Sequence, residues 1–294
     1  MADTTSTLSE RYRRPSGIRT FNLGDTKLTY VPDGGGVVNA RLWLPGSTDE
    51  DWARYPEHLD ESGHLASGFG GLLVERDDRA LLIDAGMGPL EAAPSNPFGT
   101  VVSSGALFGS LAALGRSPAD IEAVALTHLH HDHVGWAWHP APGSDRPAFT
   151  GADYLVTEPE WAQRHHAAER GMGDIIKALE PQVRTVVDGE EIFPGVRVML
   201  TPGHTEGHAA YVISAGGQRV IAFGDAFHAP VQIAEPQWEV VADHAPEQSV
   251  SLRQSLVDEL AEPDTIGFGI HFADVPFGRV RIEGGRPAWH PVDA

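Results

Sequence analysis

The sequence contains no cysteine. Disulfides, thiolate metal ligands and cysteine nucleophiles are thereby excluded, and any metal must be held by histidine and carboxylate donors. That donor set admits zinc, manganese, iron or cobalt. Long apolar runs are also missing: none approaches the ~20 residues that a bilayer span needs. The first residues, MADTTSTLSERYRRPSG, hold no apolar segment of signal-peptide type, so no membrane is expected and a cytoplasmic location is the default. Positive charge is scarce. The 21 Lys and Arg against 41 Asp and Glu give a formal net charge of −20, a surface that repels phosphate backbones and argues against nucleic acid as a partner. The one basic cluster, Arg11, Arg13 and Arg14, reads as the solvated part of a flexible tail over residues 1–17. Repeats, low-complexity blocks and linkers are absent too, so residues 18–294 are expected to form a single domain.

What is present is a series of short strand-like runs between Gly, Pro and Asp turns. They include Lys27–Val31, Gly71–Glu75, Ala80–Asp84, Ala123–Thr127, Arg197–Thr201, Ala209–Ser214, Val220–Gly224 and Thr265–Gly269. Asp77-Asp78 and Gly216-Gly217 read as hairpin turns. Gly34-Gly35-Gly36 reads as a loop. Helices are expected over Gly105–Leu114, from Thr157-Glu158-Pro159-Glu160 with its capping-box spacing, and over Pro246–Leu260. Many strands with a few helices between them predict a layered α/β fold.

The chemistry concentrates in Thr127-His128-Leu129-His130-His131-Asp132-His133. Only 15 of 294 residues are His, yet four fall within six positions here, after the apolar run Ala123–Leu126. Residues two apart share a face of extended chain, so His128 and His130 can converge on one cation. Asp132 and His133 are adjacent and point apart, which suits a second cation. Further strand ends carry Thr201-Pro202-Gly203-His204-Thr205-Glu206-Gly207-His208, Gly224-Asp225 and Gly269-Ile270-His271. His204 can complete three nitrogen ligands, and Asp225 can bridge two cations. Any one of these is weak, because a lone His at a strand end is usually a satisfied polar group. Seven candidate ligands, each at a strand end, are a strong signal.

In this order and at these separations, HLHHDH, TPGHTEGH, GD and GIH resemble the metallo-β-lactamase superfamily, over about Gly71 to Val280. The resemblance implies a four-layer αββα sandwich with the metals at one edge of the sheets. It implies one cation on His128, His130 and His204, a second on Asp132, His133 and His271, and Asp225 between them. Residues Gly224–Gly278, with Asp225, His228, Val231-Gln232, Pro236 and Phe277, look like the methyl parathion hydrolase and lactonase-like branch. Val134-Gly135-Trp136 departs from the family's usual Gly-Gly. Implied in turn is a dinuclear hydrolase, zinc first and Mn, Fe or Co next, that cleaves a lactone or carboxylic ester by a metal-bound hydroxide. Asp132, Asp225 and His228 are expected to carry the catalysis, with His228 donating a proton or polarising a carbonyl, its alternative being a structural histidine. A phosphotriester is the alternative substrate; a mono-iron sulfur dioxygenase and a non-catalytic binding member are the rivals from other classes. The acidic surface favours a small neutral or apolar ester-like substrate, and a homodimer is left open.

Several secondary residues join this reading. Asp84 resembles the family's orienting carboxylate and would fix a ligand imidazole. His131 and His208 are expected to orient loops, and Trp136, Trp138 and Phe227 either to offer an apolar pocket wall or simply to pack in the core. His165 and His166 are expected to face solvent from a helix.

Overall fold

The computed structural model describes residues 6–90 and 97–292. Alternating apolar residues build two sheets. The first comprises β1 (Arg19–Leu23), β2 (Thr26–Asn39), β3 (His64–Arg76), β4 (Arg79–Ile83), β5 (Gly99–Ser103), β6 (Ala123–Ala125), β7 (Asp153–Thr157) and β8 (Val183–Val186), in the order β1-β2-β3-β4-β6-β7-β8 with β5 also on β2. The second comprises β9 (Glu191–Phe193), β10 (Val196–Leu200), β11 (Ala209–Ala215), β12 (Gln218–Ala222), β13 (Thr265–Phe268), β14 (Phe277–Glu283) and β15 (Arg286–Pro291), in reverse order from β15 to β9.

The period-two pattern decides which residues face which layer. Leu72, Val74, Leu81 and Ile83 point between the sheets, against Val198, Tyr211, Ile213 and Phe268. Their neighbours Leu73, Leu82 and Val124 point outward, onto the helical residues Leu107, Leu111, Val134 and Ile176. On the far side, Ile221 and Phe223 lie under Leu256, Val257 and Leu260 of helix Pro246–Leu260. The expected αββα sandwich is therefore the fold. The hairpins are also where the turn residues put them: Arg76 pairs with Arg79 around Asp77-Asp78, and Ala215 with Gln218 around Gly216-Gly217.

Three local expectations need correction. Gly34-Gly35-Gly36 is strand, inside β2, which runs far beyond Lys27–Val31. A Cβ on Gly36 would lie 2.3 Å from Thr100 O, so glycine lets β5 approach the second half of β2. The arginines of the expected tail are not merely solvated: residues 8–12 form a helix, and Arg13 Nη2 donates to Pro56 O at 2.8 Å. Arg14 pairs with Asp274 at 2.8 Å. Residues 1–5 of that tail lie outside the described residues. Finally, not every candidate ligand lies at a strand end, because helix His131–Trp138 starts within the His-rich segment and carries Asp132 and His133 in its first turn.

β4, β6, β7 and β8 are mutually parallel, as are β12 and β13. Crossovers therefore bring the carboxyl ends of β4, β6, β12 and β13 to one rim, where open α/β sheets present their ligand crevices. Among the described residues no helix is long and apolar enough to cross a membrane.

Candidate metal centre

Each chain segment leaves its strand with polar residues it can no longer pair within a ladder, and the rim gathers them. His128 follows β6, His204 follows β10, Asp225 follows β12 and His271 follows β13. Two groups of donor atoms result, each within 4.8 Å of one another: His128, His130, His204 and Asp225 in one, and Asp132, His133 and His271 in the other. All seven sequence-derived ligands are included.

Asp225 joins the groups with its two oxygens. Oδ2 lies 3.2 Å from His204 Nε2 and 3.7 Å from His128 Nε2. Oδ1 lies 3.1 Å from His133 Nε2 and 3.0 Å from His271 Nε2. Burial alone would raise the Asp225 pKa, but His133, His271, His228 and His128 hold it well below the carboxylate range. Burial would likewise lower that of His133, yet Asp225, Asp84 and Asp132 raise it well above the ordinary value. The His128 and His133 Nε2 atoms are buried and without a hydrogen-bond partner. Buried imidazole nitrogens left unpaired beside carboxylates are costly unless a cation completes them, so the donor set fits divalent metals.

The far side of each imidazole is tied down. Asp84, held at φ +62°, accepts from Thr127 N at 2.8 Å and meets His133 Nδ1 at 2.8 Å, the orienting role anticipated for it. His271 Nδ1 donates to Gly68 O at 2.7 Å. His208 lies outside the groups. Its Nδ1 faces Thr201 Oγ1 at 2.8 Å and its Nε2 accepts from Asp225 N at 3.0 Å. Burial pushes its pKa down to about 3, consistent with that neutral acceptor role. His131 is also outside both groups, while His165 is exposed and His166 only half so.

His228 is buried, with Nε2 3.1 Å from Asp225 Oδ2 but off hydrogen-bond geometry, so that neither ring nitrogen has a partner. Burial lowers its pKa more than Asp225 raises it. Gln232 Oε1 accepts from His228 N at 2.7 Å and fixes the turn.

Three supports escaped the sequence reading. His204 Nδ1 meets Asp243 Oδ1 at 3.0 Å, and Asp243 Oδ2 in turn accepts from the fully buried Arg253 at 3.1 Å. Arg253 sits three, four and seven residues before Leu256, Val257 and Leu260, on the apolar stripe of its helix; a charge on that stripe is the signal that marked it. Glu160 does not close a capping box at Thr157. Its carboxylate accepts instead from Leu129 N at 2.9 Å and Thr205 Oγ1 at 2.7 Å, locking the two histidine loops together. Asp33 accepts from Met87 N and Gly88 N, both at 2.9 Å.

A cavity of about 200 Å³ opens over Asp132, Asp225, His228 and His271, and its apolar wall differs from the expected one. Trp136, Trp138 and Phe227 do not line it. Trp136 donates Nε1 to Asp33 at 2.7 Å and packs on Phe108, and Phe227 is fully buried against Phe223. The wall is Val37, Val38, Trp43, Phe69, Met87 and Val101. Trp43 meets His228 edge-on, with ring centroids 5.5 Å apart. Trp43 is far from every ligand in sequence and close only in space.

The family model described as the metallo-beta-lactamase superfamily matches residues 72–266. An N-acyl homoserine lactonase of Bacillus sp is 29% identical over 154 residues, covering 48% of this chain and 56% of that protein. A probable metallo-hydrolase of Mycobacterium tuberculosis is 29% identical over 177 residues, covering 53% and 56%. The chain thus spans little more than half the length of the curated relatives it matches. Among solved structures, the dizinc quorum-quenching lactonase AidC, in complex with a product, superposes with TM-score 0.81 at 21% identity, over 95% of this chain and 98% of that one. The hydrolase AbOPH superposes with TM-score 0.79 at 22% identity, over 96% and 99%.

Proposed function

The chain belongs to the metallo-beta-lactamase superfamily, and on that premise we propose that it is a metal-dependent hydrolase that holds two divalent cations and cleaves a neutral lactone or carboxylic ester. The observation that carries this reading is Asp225, with one oxygen turned to each histidine group at the floor of an apolar cleft. His128, His130, His204 and Asp225 Oδ2 would hold one cation, and Asp132, His133, His271 and Asp225 Oδ1 the other. Bound cations, zinc first, would supply Lewis acidity toward the carbonyl and bring the pKa of bound water to ~7.

The remaining work falls to the chain's own side chains. Asp84 and Asp243 hold the His133 and His204 rings in one orientation. Neutral His228 keeps one unpaired N–H at the cleft, placed to donate to the ester carbonyl or the departing oxygen. Val37, Val38, Phe69 and Val101 exclude water, and among the described residues no Lys or Arg lines the cleft to balance a charged acyl group. That wall supports a neutral substrate. The relatives' printed activities make N-acyl homoserine lactones the first compounds to test.

Protein loaded with zinc should carry two equivalents by elemental analysis. In a panel of acyl homoserine lactones, other γ- and δ-lactones, aryl acetates, a phosphotriester and a phosphodiester, neutral lactones and esters should be cleaved fastest. Preference for the phosphotriester would assign the alternative substrate class. One tightly bound iron with no hydrolysis would replace the hydrolase by an oxidoreductase.

A further inference from the structure

The N-terminal arginines have no part in the reading above, yet they converge on the turn that carries His271. Asp274, three residues after that ligand, has a side chain only 2% exposed. Its Oδ2 accepts from Arg14 Nε at 3.0 Å and Nη2 at 2.8 Å. Its Oδ1 accepts from Arg19 Nε at 2.9 Å and Ser16 Oγ at 3.0 Å. The backbone is gripped as well: Asp274 N donates to Arg11 O at 3.1 Å, and Asp274 O accepts from Arg11 Nη2 at 2.8 Å. One short N-terminal segment thus supplies side-chain and main-chain ties to a single buried residue.

The turn needs such ties. Ala273 sits at φ +47°, a region that L residues other than glycine rarely adopt and that persists only where its surroundings over-determine it. Two residues before it, His271 must hold Nδ1 on Gly68 O and Nε2 at 3.0 Å from Asp225 Oδ1. A shift of the turn moves that imidazole and spoils the Asp132–His133–His271 group, while leaving His128, His130 and His204 on their own loops.

We propose that residues 7–19 are a clamp on the His271 turn, and that Arg14 and Arg19, acting through Asp274, are positioning residues for the second cation group. The proposal rests on the two-cation reading above. Removing both guanidiniums leaves a buried carboxylate without its cations, which favours opening of the turn.

The test compares wild type with the Arg14→Gln/Arg19→Gln variant and with Arg14→Gln alone, the milder change because Arg14 is partly exposed. Zinc affinity is read by chelator competition, and exchange of the Asp274 amide by hydrogen–deuterium exchange on metal-free protein. A wild type that binds fewer than two zinc ions refutes the two-cation reading whatever the variants do; exchange then decides the clamp by itself. The clamp predicts that one of the two sites weakens roughly 10–100-fold in the double variant, the usual range for residues behind a metal ligand. The other site should be unchanged, and residues 270–275 should exchange faster while the sheets stay protected. Arg14→Gln alone should shift both readouts in the same direction. Equal weakening of both sites, or unchanged exchange in a folded variant, overturns the clamp.

Discussion

Asp225 lies within 3.7 Å of ring nitrogens from His128, His133, His204, His228 and His271. One carboxylate facing five imidazoles sets the spacing of everything around it. Asp225→Ala should therefore cost more activity than the roughly 10–100-fold typical of an outer support, with the sandwich retained by circular dichroism. Near-normal turnover would remove Asp225 from its bridging role. A second residue-scale prediction concerns His58, away from the centre, which stacks on Tyr12 at 4.2 Å and whose pKa burial lowers to about 4. The unfolded chain protonates this ring near pH 6.5, but the folded protein does so only near 4. Stability is thus lost as pH falls from about 6.5 to about 4, by on the order of 3 kcal/mol in all. His58→Gln should flatten that part of the pH–stability curve, measured by urea unfolding between pH 7 and 5. An unchanged slope would show that His58 does not contribute.

At the scale of elements, helix His131–Trp138 must lie directly on the chain after β4. A Cβ on Gly135 would sit 2.0 Å from the Met87 carbonyl carbon and oxygen. Gly135→Ala should consequently destabilise by at least about 2 kcal/mol, seen as a lower urea midpoint, and a neutral result would mean that the helix can lift. The same contact shows why Gly135 stays glycine where the family's usual Gly-Gly has become Val134-Gly135, with Val134 spent on core packing. Helix Pro246–Leu260 supports the centre from the other side through Arg253, which ties Pro236 O, Ala226 O and Asp243. Arg253→Met would leave the buried Asp243 without its guanidinium partner, a change that typically costs about 3–5 kcal/mol. His204 should lose its orientation with it, so zinc affinity should fall along with stability. Loss of stability with intact zinc affinity would confine Arg253 to a structural role.

For the whole molecule, a formal charge of −20 surrounds a cleft whose wall is apolar. Long-range repulsion is screened beyond ~10 Å at 0.1 M salt. Hydrolysis of an anionic ester should accelerate as ionic strength rises from low to about 0.2 M, while kcat/KM for a neutral lactone should stay flat. Equal salt responses would show that surface charge has no part in selection. Across the sandwich, the outcome was uneven by element. β3, β4, β6 and β10 to β13 were legible because buried period-two runs ended in turn residues. β1, β5, β14 and β15 were not: Gly99–Ser103 is mostly exposed and Arg286–Pro291 contains two prolines, so neither carries a strand pattern.

The amino-acid sequence by itself determined the candidate donor set, the strand ends that bear most of it and the layered fold, because ligand-type spacing and period-two burial are both local. His128 and His130 announce themselves two residues apart, and Asp225 closes an apolar strand. Tertiary structure alone decided what stands behind and above those donors. Asp243, Glu160 and Asp274 lie 39, 45 and three residues from the residues they serve, His204, Thr205 and His271, and not even the short separation marks a role. Trp43 became the cleft wall in place of Trp136 because Asp33, brought near only by folding, captured the Trp136 indole N–H. A hydrogen bond or wall contact made across the rim has no period in the chain; it exists only once two sheets have set distant loops side by side.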